Sequence, residues 1–68
     1  MSYLSEIRHN LEEYYKYLQS EIVVMNDVRK DLPDDHINVF GIYETIMHKY
    51  REMYKVKYIL ERFHEINI

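Results

Sequence analysis

A single proline near the middle of the chain, Pro33, separates two stretches in which apolar residues recur at alternating steps of three and four. That spacing marks one face of an α-helix. Before the proline the row is Leu4, Ile7, Leu11, Tyr14, Leu18, Ile22, Met25, Val28 and Leu32. After it the row is Val39, Tyr43, Ile46, Tyr50, Met53, Val56, Leu60 and Phe63. Proline disfavours helical geometry at the residue before it, here Leu32, yet it is tolerated in the first turn of a new helix. Gly41 is the one glycine, so few turns fit beside this one. The pattern predicts an all-α, antiparallel helical hairpin forming one domain. Its helices would cover about 2–31 and about 35–65, with a turn at about 31–35. Ser2 is placed to cap the first helix, and Asp31 or Asp34 the second. Glu12 and Lys16 are spaced for an i,i+4 pair in the favourable order. Gly41 costs the second helix about 1 kcal/mol relative to alanine, and marks either a close backbone approach or a weak point.

The second helix carries an additional apolar row, Phe40, Met47 and Tyr54. It is therefore apolar over a wider arc than pairing with one neighbour needs. Each helix would be about 40 Å long, and a hairpin buries one stripe per helix. Exposed rows of this kind usually mark an interface. Two hairpins packed face to face would cover them, which predicts a homodimeric four-helix bundle. The expected core and dimer-interface set is then Leu4, Ile7, Leu11, Tyr14, Leu18, Ile22, Met25, Val28, Val39, Phe40, Tyr43, Ile46, Met47, Tyr50, Met53, Tyr54 and Leu60.

Size and composition point the same way. A chain of 68 residues buries little surface by itself. Small scaffolds usually add disulfides, a metal or a partner chain. There is no cysteine, so disulfides and thiolate sites are excluded. The net charge of −3 is no overall signature of nucleic-acid binding. The aliphatic run Ile22-Val23-Val24-Met25 is too short to span a bilayer. Glu6, Glu12 and Glu13 interrupt the start of the chain, unlike a signal peptide. The expectation is a cytoplasmic protein with no membrane partner.

Two motifs suggest chemistry. Glu6-Ile7-Arg8-His9 and Glu61-Arg62-Phe63-His64 are both Glu-x-x-His, the spacing with which bundles hold two irons. Helical phase opposes that reading. With Leu4, Ile7 and Leu11 inward, Glu6 and His9 point to solvent, and no inward pair of Glu residues completes a shell. No metal, cofactor or catalytic residue is expected, and no nucleophile–base spacing is visible. The second motif lies in residues 48–58. On a helix, His48, Arg51, Lys55, Tyr58 and Arg62 form one outward stripe, suited to phosphates or to an acidic protein surface. The alternative is an ordinary solvated face balanced by Glu44, Glu52 and Glu61.

Charge divides unevenly. Residues 1–35 hold four basic and eight acidic side chains, and residues 36–68 hold five and four. An acidic first helix and a mildly basic second one could steer pairing or offer two distinct faces. Of the eight tyrosines, Tyr14, Tyr43 and Tyr50 lie on core stripes. Tyr15 and Tyr17 lie off them and are candidates for contact with a partner, with His48, Arg51, Lys55, Tyr58 and Arg62.

The layout of two helical stripes about one central turn resembles the Rop-like helical-hairpin proteins, which pair as dimeric four-helix bundles. That resemblance implies RNA recognition through a helical face, which Arg51, Lys55 and Arg62 of the second helix would have to supply. The composition, rich in Tyr, Ile, Glu and Lys with one Gln, is similar to the small hairpin proteins of crenarchaeal spindle-shaped viruses. It implies a viral or mobile-element protein in a host cytoplasm. The leading expectation is a non-enzymatic adaptor or small regulator that binds an unknown protein partner, with a nucleic-acid-binding regulator as the alternative.

Overall fold

A computed structural model describes residues 2–66. The chain folds into two helices, α1 (Tyr3–Lys30) and α2 (Val39–Glu65), packed antiparallel as a hairpin. It is a rod of 50 × 16 × 13 Å with a radius of gyration of 15.6 Å. A compact domain of this length would have about 11 Å, so most residues sit near the surface.

α1 begins where the sequence places it. The Ser2 hydroxyl accepts the Ser5 backbone N–H at 3.1 Å, satisfying one of the first-turn donors. Glu6 in the first turn and Arg29 and Lys30 in the last oppose the helix dipole. The expected Glu12–Lys16 pair does not form. Glu12 pairs with Arg8 at 3.3 Å and Lys16 with Glu13 at 3.6 Å. Each carboxylate thus takes a cation on its own flank of the helix.

The connection differs from expectation in its length. It runs from Asp31 to Asn38, three residues beyond the expected turn, and closes through successive tight turns. Leu32 N–H donates to the Arg29 carbonyl, His36 N–H to Pro33, and Val39 N–H to His36. Neither Asp31 nor Asp34 caps α2. Asp31 instead ends α1, and the N-cap of α2 is Asn38, in helical geometry and without a side-chain cap bond. His36 takes over part of that role. Its Nδ1 accepts the Asn38 N–H at 3.1 Å and its carbonyl accepts the Val39 N–H at 3.0 Å.

The core is a narrow seam. Leu18 and Ile22 of α1 are 2% and 5% exposed, and Val39, Ile46, Val56 and Phe63 are the buried side chains of α2, spread along its length. Ile7, Leu11, Met25, Leu32, Tyr50, Met53 and Leu60 are half-buried along its edges. Near the turn the Arg29 guanidinium lies 4.4 Å from the centre of the Tyr43 ring, a cation–π contact between the helices. Gly41 has open space where a Cβ would stand, so the close-approach reading does not apply within the hairpin. No helix among the described residues is long and apolar enough to cross a membrane.

Candidate functional site

Both sides of the seam carry apolar side chains that the hairpin leaves uncovered. On α1 these include Tyr14, Tyr17, Val24 and Val28; on α2 they include Phe40, Tyr43, Met47 and Tyr54. The second row of α2 is the most open, with Phe40 at 72%, Met47 at 53% and Tyr54 at 61% exposure. Leu4 at the start of α1 is also exposed.

The two rows face in opposite directions. One groove beside the seam is lined by Tyr14, Leu18, Thr45, His48, Lys49 and Glu52. The other is lined by Gln19, Ile22, Val23, Tyr50 and Met53. Successive helical residues turn by about 100°, so Tyr17, Val24 and Val28 lie outboard of Tyr14 on the first side. Phe40, Met47 and Tyr54 lie outboard of Tyr50 on the second. Each row holds a stacked tyrosine pair, Tyr14–Tyr17 and Tyr50–Tyr54, both with ring centres 6.4 Å apart. Ring pairs at this spacing attract one another modestly beyond their burial.

The face of α1 is tied down by a small polar group. The Tyr17 hydroxyl donates to Glu21 Oε1 at 2.7 Å, and Lys49 Nζ reaches the same oxygen at 3.7 Å across the hairpin. The hydrogen bond to Glu21, and after it the charge of Glu21, raises the Tyr17 pKa above its ordinary value. Both features favour the neutral hydroxyl over phenolate.

The other sequence candidates fall in two places. Tyr15 is half-buried. Helical spacing sets it beside Leu11, Leu18 and Ile22, so it is edge packing more than free surface. His48, Arg51, Lys55, Tyr58 and Arg62 are all exposed; His48 borders the groove shared with Tyr14 and Leu18 of α1, and the other four lie on the back of α2. Lys55 pairs with Glu52 at 3.5 Å and Arg62 with Glu65 at 3.8 Å. These contacts offset part of the positive charge of the stripe. Glu6, His9, Glu61 and His64 are exposed as well, and among the described residues no three His, Asp or Glu side chains cluster as metal ligands would.

That the rows of α1 and α2 lie on opposite faces was not among the expectations from the sequence. The signal was available in the helix period. When a right-handed helix returns antiparallel, the same rotational offset points the other way, so offsets must be compared with their sign. Compared with family models, curated proteins and solved structures, this chain is similar to none at a level that shows kinship.

Proposed function

We propose that this protein is a non-enzymatic adaptor or small regulator that works as a homodimer of helical hairpins, encoded by a virus or mobile element. The dimer assembles as four helices and docks another protein on an outer face. The observation that supports this is the pair of apolar rows left uncovered on opposite sides of one hairpin. One row serves self-association and the other remains for a partner. The grooves beside them are open along the rod, and a reaction site needs more enclosure than that. Tyr17 and Tyr14 make the face of α1 tyrosine-rich, and tyrosine is enriched in protein–protein contacts.

Sedimentation equilibrium tests the assembly. A dimer at micromolar concentration is expected, and a monomer there removes the reading. The rival role is binding of nucleic acid through the back of α2. It predicts salt-sensitive binding of RNA or DNA that weakens when Arg51 and Lys55 are replaced by alanine. Detection of such binding would replace the adaptor role, because the acidic face of α1 has no part in it.

A further inference from the structure

We propose that the second copy binds to the outer side of α2, with the two α2 helices antiparallel about a two-fold axis at Met47. The inference rests on the homodimer reading above and adds the face, the direction and the register.

Phe40, Met47 and Tyr54 are spaced by seven residues, so they form a straight seam along an α-helix paired with another. An antiparallel copy centred on Met47 sets Met47 against its counterpart and Phe40 against the other Tyr54. Large side chains thus meet large ones along the whole seam. Methionine and aromatic residues are the types enriched in the cores of such contacts.

Charge supports the same register. Glu44 and Arg51 lie together on the flank of this seam that is turned away from α1, and with Phe40, Tyr43, Met47 and His48 they line one open groove. Among the described residues neither makes an ion pair within its own chain. They stand three residues before and four after Met47. In the proposed dimer Glu44 of each copy therefore comes within one residue's rise, about 1.5 Å, of Arg51 of the other, and the two-fold axis generates the pair twice. The row on α1 lacks this property. Its flank carries Glu13 and Asp27, and Glu21 lies within the row. There Glu13 and Glu21 are already paired with Lys16 and Lys49 of the same chain, so no reciprocal acid–base pair is offered across a two-fold axis.

Surface area supports the size of the contact. The hairpin exposes 5454 Å², whereas a compact monomer of this mass exposes about 4,700 Å². The excess is roughly the 800 Å² that each partner contributes to a standard interface.

The chain has no cysteine, which makes a direct test available. Met47→Cys and Val24→Cys variants, on opposite faces, are treated with a short bismaleimide. Cross-linked dimer is expected from Met47→Cys and not from Val24→Cys. In parallel, Glu44→Arg is expected to raise the dissociation constant of the dimer about tenfold, and Glu44→Arg with Arg51→Glu to return it close to the parent value. Efficient cross-linking at Val24 alone, with Glu44→Arg silent, overturns the inference while leaving a homodimer in place. A wild-type monomer at micromolar concentration overturns both.

Discussion

α1 and α2 have almost the same length, 28 and 27 residues, but they are held in place by different means. α1 is closed by its own residues. Ser2 caps its start, Glu6 sits at the positive end of its dipole, and Arg29 and Lys30 sit at the negative end. The N-cap residue of α2, Asn38, makes no side-chain cap bond, and the first turn of α2 holds no acid. It depends on packing instead. Four of its side chains are buried, from Val39 at one end to Phe63 near the other, against two in the middle of α1. The contrast separates local sources of helix stability from tertiary ones. The expectation is that an isolated α1 keeps more of its helix than an isolated α2, which circular dichroism of the two peptides would check.

The largest effect falls where both helices depend on one residue. Leu18 is the most buried residue of the hairpin, and Leu18→Ala is expected to cost about 2–5 kcal/mol. A domain this small has little stability to lose. Circular dichroism with urea should show the variant largely unfolded at concentrations where the parent is folded. A loss below about 1 kcal/mol would mean that the seam at Leu18 and Ile22 is not the structural core.

Capping tests the comparison at the two starts. Ser2→Ala removes the acceptor for the Ser5 N–H and should cost about 1 kcal/mol. Asn38→Ala removes no cap bond and should leave the melting temperature nearly unchanged. Equal losses from the two variants would mean that α2 is capped in solution as α1 is, and the distinction between them would fail.

These residues also show what was legible in the sequence. The helices, their antiparallel hairpin and the Ser2 cap follow from local rules, since period, proline and capping chemistry act within a few residues. The open row of Phe40, Met47 and Tyr54 was also legible, because its breadth exceeds what one neighbour can cover. The start of α2 was not. His36 closes the connection through both its ring and its carbonyl, and nothing in a sequence pattern favours that over an aspartate cap. Tyr15 and Tyr14 were exchanged in role because they differ by one helical step, and small shifts in helix rotation decide which is covered. The open row of α2 was named residue by residue, whereas of the row on α1 only Tyr17 was singled out as a surface candidate, and the opposite orientation of the two rows emerges only once direction and rotation are combined.

The smallest expected effect concerns the face of α1, where Tyr17 and Glu21 meet Lys49 of α2. The hydrogen bond to Glu21, more than any other factor, raises the Tyr17 pKa in the folded protein. A raised pKa means that the fold favours the protonated hydroxyl. Its contribution to stability is therefore fully present below the ordinary tyrosine pKa, about 10, and is lost as pH rises through the raised value. Tyr17→Phe removes the titrating group and leaves every other tyrosine and lysine unchanged. The melting temperature of the parent should exceed that of the variant at pH 7 to about 9, with the gap closing above about pH 10. The shift is small because Tyr17 is exposed and water competes for the same bond. A gap that stays constant to about pH 12 would mean that Tyr17 does not share its proton with Glu21. The polar tie between α1 and α2 on this face would then reduce to the Glu21–Lys49 pair alone.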